Sequence, residues 1–143
     1  MKKLILLLLV MSFASSIRAQ EIGVRIGDVV GHRAAIDAVF NTEGPARIHA
    51  DLSFGNGGVG IEVLWDIVYR QIGNSDFDWY LGVGPTALFH NDAHVGLSGE
   101  IGVEAHFVDA PIAIGVDWRP TMYVIQSTDF DPSGFGLNIR FVF

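Results

Sequence analysis

The chain has 143 residues, half of them apolar, no cysteine and a formal net charge of −7, which suits one domain. So acidic a chain is a poor partner for nucleic acid. Without cysteine it has neither a disulfide framework nor an attachment point for a lipoprotein anchor.

The first segment reads as a secretory signal peptide over residues 1–19. Lys2 and Lys3 form its positive end, Leu4 to Val10 its apolar core, and Ala19 a small residue suited to cleavage before Gln20. That apolar run is too short to span a bilayer. Both lysines lie in this segment, which leaves six arginines against sixteen carboxylates over 20–143 and hence a charge of −10 with histidine neutral. A soluble acidic surface is usually diluted with lysine.

From Glu21 the dominant period is two, the period of strands. Ile22, Val24 and Ile26 alternate with Gly23, Arg25 and Gly27. Ile36, Ala38 and Phe40 flank Asp37 and Val39. Ile48, Ala50, Leu52 and Phe54 oppose His49, Asp51 and Ser53. Val59 to Arg70 sets Val63, Trp65, Ile67 and Tyr69 against Glu62, Asp66 and Arg70. Trp79, Leu81 and Val83 oppose Tyr80, Gly82 and Gly84. Val95 to Phe107 sets Leu97, Ile101 and Val103 against Ser98, Glu100, Glu104 and His106. Ile112 to Arg119 sets Ile114, Val116 and Trp118 against Asp117 and Arg119. Last, Phe135, Leu137, Ile139, Phe141 and Phe143 alternate with Gly136, Asn138, Arg140 and Val142. Turn residues separate these eight segments. An even number of strands joined by short connections predicts an all-β fold, an eight-stranded antiparallel up-and-down transmembrane barrel over 20–143.

Three features put the apolar face outward. Aromatic residues gather at strand ends: Phe40, Tyr69, Trp79, Phe107, Phe141 and Phe143 toward one rim, and Phe54, Phe89, Trp118, Tyr123 and Phe135 toward the other. Such girdles flank the lipid band of outer-membrane barrels. The opposite face mixes glycine with charges of both signs, as a narrow lumen requires. The chain also ends on an apolar row closed by Phe143.

That terminal row, Phe135, Leu137, Ile139, Phe141 and Phe143, resembles the C-terminal assembly signal of bacterial outer-membrane barrels. The chain after residue 19 is similar to small barrels of the OmpA/OmpX architecture. Members with an Asp-Trp-Arg-Pro segment, here Asp117 to Pro120, and a Gly-Phe-Gly-Leu-Asn start to the last strand, here Gly134 to Asn138, resemble it most. The resemblance implies residence in the outer membrane, contact with its lipid, recognition of the last strand by the barrel-assembly machinery, and a monomer. It implies no activity.

Inward charges should pair across the lumen. A four-residue turn over Val108 to Pro111 places Arg119 opposite Glu100. A loop from Tyr123 to Gly134 would bring Asp117 opposite Arg140, and a turn near Val30 would bring Arg25 opposite Asp37. Asp51 and Glu62 should face each other and share an arginine from across the lumen, with Arg25 the first choice, unless one of them holds a proton. Together these eight residues form the expected lumen network.

Catalysis and metal binding find little support in the pattern. His94 and Ser98 are four residues apart on one strand, about 13 Å, too far for a nucleophile–base hydrogen bond. His90, Asp92 and His94 flank a short loop, and His94 and His106 lie at opposite ends of a strand. The expectation is a non-enzymatic barrel with a structural or surface-interaction role, a lumen filled by side chains, and no cofactor or metal. A lipid-modifying enzyme and a soluble calyx-like binding module are the alternatives.

Overall fold

Alternation along the chain resolves into ten hydrogen-bonded segments: β1 (Glu21–Val29), β2 (His32–Asn41), β3 (Arg47–Gly55), β4 (Gly58–Gln71), β5 (Phe77–Phe89), β6 (Ala93–His106), β7 (Ile112–Trp118), β8 (Thr121–Ile125), β9 (Asp129–Asp131) and β10 (Phe135–Val142). The structure is a computed structural model and describes residues 20–42 and 44–143. The expected signal peptide, residues 1–19, lies outside the described residues.

β7 and β8 act as one strand of the wall. Both pair with β6 in continuous register, Ile101 with Trp118 and Ser98 with Thr121. The break falls at Arg119–Pro120, where proline has no N–H to give the ladder; Pro120 still contributes its carbonyl, to Gly99 N–H at 3.0 Å. β9 and β10 likewise form one strand, interrupted at 132–134. The result is eight strands, each antiparallel to its neighbours. β5 pairs with β6, and β1 pairs with β10, so the sheet closes on itself and has no free edges along its length. The fold is an all-β, closed, eight-stranded, antiparallel up-and-down barrel, without a helix among the described residues. At the seam, Phe143 N–H donates to the Gln20 carbonyl at 2.9 Å.

Tight turns set the registers. Val30–Gly31 and Asn56–Gly57 both have two consecutive positive φ angles, 46° and 75°, then 48° and 78°. This conformation matches the twist of a two-residue hairpin. The first turn pairs Val29 with His32, and a bulge between Ile26 and Val29 then shifts the ladder once more, so Asp37 faces Gly23 and Arg25 faces Ala35. The expected Arg25–Asp37 pairing is therefore displaced by two residues.

The last hairpin also departs from expectation. Half of the segment expected to be a loop from Tyr123 to Gly134 is strand, with Tyr123 paired to Asp129 and a turn at Gln126, φ 74°. Pairing continues down to Trp118 with Phe135, so Asp117 faces Gly136 and not Arg140.

The two faces of the wall are sharply different. Among the described residues thirty large apolar side chains are exposed, most of them on the outer wall, Ile22, Val24, Val63, Ile101, Val116 and Ile139 included, whereas seven apolar residues are buried. A bulge between Asp66 and Val68 reverses the phase near the end of β4. Tyr69 consequently turns inward, with the Arg47 guanidinium 4.2 Å from its ring centre, and Arg70 becomes exposed. Tyr123 also faces inward. These two tyrosines thus leave the expected outer girdles.

Candidate functional site

The interior is built from the polar half of each alternating strand. Eight carboxylates are buried there, Glu21, Asp37, Asp51, Glu62, Asp66, Glu100, Glu104 and Asp117, with four guanidiniums, Arg25, Arg47, Arg119 and Arg140. Charges so far from water need close, well-directed partners, and the structure supplies them in three tiers along the barrel axis.

The tier nearest the chain termini is held by Arg140 and Arg47. Arg140 Nε donates to Glu21 Oε2 at 2.7 Å and Nη1 to Asp37 Oδ2 at 3.1 Å, while Nη2 reaches Glu104. Arg47 donates from Nη1 to Glu104 Oε1 and from Nε to Asp66 Oδ2, both at 2.5 Å. Its guanidinium lies between the rings of Tyr69 and Tyr80, 4.2 and 4.7 Å from their centres, a favourable place for a cation. At the rim, His106 Nε2 meets Glu21 Oε1 at 3.0 Å.

Arg119 is the hub of the middle tier. Its Nη1 contacts Asp51 and also Glu62 Oε1, the latter at 3.0 Å; Nε lies 3.1 Å from Glu100 Oε2, and Nη2 lies 3.0 Å from Asp117 Oδ2. Asp51 and Glu62 are direct cross-strand neighbours, and like charges so placed repel. A cation reaching between them removes that cost. It is Arg119, not Arg25, that does so. His49 lies beside the hub, with Nε2 2.5 Å from Asp37 Oδ1 and Nδ1 3.2 Å from Glu100 Oε2.

Arg25 holds the third tier. Its Nη2 donates to Asp117 Oδ1 at 2.7 Å and to the Gly134 carbonyl at 3.0 Å, and its Nη1 to the Asp28 carbonyl at 2.6 Å. Asn138 Nδ2 and the Tyr80 hydroxyl donate to Asp117 Oδ2 at 2.8 and 3.2 Å. A cavity of about 10 Å³ lies among Arg25, Glu62, Arg119, Thr121 and Tyr123, room for about one water molecule. Above it, Val29, Val30 and Ala35 pack with Leu88 as a small apolar cap under the first hairpin turn.

All eight charged residues expected in the lumen lie inside the wall, but their partners differ from those expected. Glu100 does meet Arg119. Asp117 pairs with Arg25 and Arg119, and Asp37 and Arg140 meet each other although neither faces its expected partner across the ladder. Glu21, Arg47, His49, Asp66, Tyr80, Glu104 and Asn138 belong to the same network and were not singled out from the sequence. Their signal was parity: Arg47 and His49 share a face with Asp51, Asp66 with Glu62, and Glu104 with Glu100.

Ser98 and His94 have separate partners. Ser98 is fully buried, with its Oγ 2.8 Å from Thr121 Oγ1, while the His94 ring lies edge-on to Tyr123 at 6.3 Å. The apolar row of the final strand lies outside, with Phe141 and Phe143 edge to face at 5.1 Å. Compared with protein-family models, with curated proteins and with solved structures, the chain has no match.

Proposed function

We propose that this protein is an integral barrel of a bacterial outer membrane, exported by its first nineteen residues, with a lumen plugged by side chains and a structural or surface-interaction role. One observation carries the reading: the molecule is inside out. Among the described residues thirty large apolar side chains are exposed, most of them on the outer face of the wall, while eight carboxylates are buried inside it. In water such an outer surface would exceed many times the few hundred Å² of apolar patch that monomeric soluble proteins tolerate. In lipid it is the required surface, and a closed barrel leaves no backbone polar group along its wall unpaired. The longest strands, β4 and β6, have 14 residues each, enough for a tilted crossing of the hydrocarbon layer, which takes about 9–11.

The plug follows from the three tiers of ion pairs, which fill the narrow bore of an eight-stranded wall. A lipid-modifying enzyme would need its nucleophile turned toward lipid, whereas Ser98 is turned inward and bound to Thr121. A calyx would need an apolar interior. Phe143, at the seam beside Gln20, supports recognition of the last strand by the assembly machinery.

Expression in a Gram-negative host with fractionation tests the proposal. The protein should sediment with outer membranes, resist extraction by carbonate, and change its gel mobility on heating. Recovery from the periplasm without detergent would overturn it.

A further inference from the structure

Among the described residues the lumen holds eight buried carboxylates and four buried guanidiniums, so cations are in deficit even though each of these arginines is engaged. The deficit has a definite address. Asp66 Oδ1 and Glu100 Oε1 have no hydrogen-bond or ion-pair partner, and Glu100 Oε2 has ion-pair contacts alone, with Arg119 Nε and His49 Nδ1, although Asp66 is 0% and Glu100 2% exposed. Buried acceptors left in this condition are rare and costly. Around them, donor atoms of His49, Asp66 and Glu100 all lie within 4.8 Å of one another. His49 Nδ1 is 3.2 Å from Glu100 Oε2, close to the ~3.3 Å edge of a tetrahedron with ~2.0 Å metal–ligand bonds.

The surroundings suit an ion. His49 Nε2 lies 2.5 Å from Asp37 Oδ1, so with an ion bound Nε2–H would donate to Asp37 and leave the Nδ1 lone pair for the metal, the usual arrangement behind a metal-bound histidine. Arg47 Nε holds the other oxygen of Asp66 at 2.5 Å. Gly82 leaves the space open: a Cβ there would lie 2.5 Å from Asp66 Oδ1 and 2.8 Å from Glu100 Oε1. The Arg119 guanidinium must withdraw, since its Nη2 lies 3.3 Å from His49 Nδ1 and 3.2 Å from His49 Nε2 and its Nε lies 3.1 Å from Glu100 Oε2; it keeps Asp51, Glu62 and Asp117 as partners.

We propose that His49, Asp66 and Glu100 form a binding site for a divalent transition-metal ion of the zinc type, enclosed within the lumen. One nitrogen and two carboxylate donors favour zinc over calcium, which takes six to eight oxygens. The ion enters as the barrel closes, because the tiers on either side shut the site from both ends. This inference concerns the lumen alone and does not depend on the membrane in which the barrel resides.

The test is to fold the full mature chain from urea into detergent with zinc chloride or calcium chloride, pass it through a desalting column, and measure bound metal by mass spectrometry. Wild type should retain roughly one zinc per chain and no calcium. Asp66→Asn, His49→Gln and Gly82→Ala should each lower zinc retention at least about tenfold, whereas His90→Ala, at an exposed loop, should retain it fully. Circular dichroism and heat-modifiable mobility identify the variants that fold; should the others fail, Gly82→Ala and the zinc–calcium contrast in wild type decide. X-ray absorption at the zinc edge should show one imidazole with carboxylate oxygens. Zinc-free wild type, equal retention of zinc and calcium, or zinc retained in Gly82→Ala would overturn the site. A wild type that binds no metal while Asp66→Asn gains stability would assign the orphan oxygens to a shared proton.

Discussion

The outer and inner faces of the same strands are governed by different physics. On β10, the outward residues Leu137, Ile139 and Phe141 touch neighbours of similar kind, and the requirement on each is to be apolar and of suitable size. The inward residues Asn138 and Arg140, one position away, each meet named partners at fixed distances, Asp117 in the first case and Glu21, Asp37 and Glu104 in the second. Position parity decides the face, but specificity lies almost wholly on the inside. Tolerance to substitution should therefore alternate along each strand: conservative exchanges should be neutral outside and damaging inside, while a charge should be damaging outside.

The largest expected effect is at the hub. Arg119→Ala leaves Asp51, Glu62, Glu100 and Asp117 without their common cation, and removing one partner of a buried ion pair costs about 3–5 kcal/mol. Urea unfolding in lipid vesicles should show a loss at or above that range, or failure to fold. A loss under about 1 kcal/mol would mean that the hub does not hold the lumen together.

Next in size is the reverse experiment on the outer face. Val63→Arg and Val103→Arg should cost about 2–4 kcal/mol in vesicles if the wall sits in hydrocarbon, and about 0–1 near an interface. Equal stability of both variants with wild type would contradict the placement in lipid. Val103→Leu should stay within about 0.5 kcal/mol.

Within the lumen, Arg25 offers a sharper contrast. Its single carboxylate partner, Asp117, retains Arg119, Asn138 and Tyr80. Arg25→Gln should therefore cost about 1–3 kcal/mol, clearly less than Arg119→Ala under the same conditions. Pairing Arg119→Gln with Glu100→Gln should restore little, because three other carboxylates remain on the hub.

Deleting Phe143 should leave folded stability nearly intact and mainly lower the yield in the outer membrane. Comparing pulse-labelled export with heat-modifiable protein would show this, and a normal yield would argue against a role in assembly. The smallest expected signal is in planar bilayers, where wild type should show no steady conductance. Discrete channel openings would contradict a plugged bore.

Much of the architecture was readable from local pattern. Eight alternating segments specify eight wall strands because a period of two is a property of each strand alone. Inside and outside followed from the aromatic strand ends, the glycine and mixed charges of the polar half and the terminal apolar row, because alternation alone fits a barrel with the faces exchanged equally well. The pattern misled at the end of β4, where the bulge between Asp66 and Val68 turns Tyr69 inward, because one inserted residue reverses every side chain after it.

Strand number, the parity of the two faces and the charged character of the lumen thus follow from the amino-acid sequence by itself. The partner of each charge does not. Asp51 and Glu62 are neighbours by hairpin arithmetic, but the cation between them comes from Arg119, 68 and 57 residues away. Asp117 meets Arg25 across 92 residues. Such contacts depend on the stagger of the closed sheet, the bulge near Gly27 and the strand break at Arg119–Pro120. A shift of two residues in one ladder moves a charge about 7 Å along the axis, which exceeds the reach of any ion pair. Only closure of the barrel, which fixes all registers together, decided which carboxylates each arginine serves and which oxygens of Asp66 and Glu100 are left without a donor.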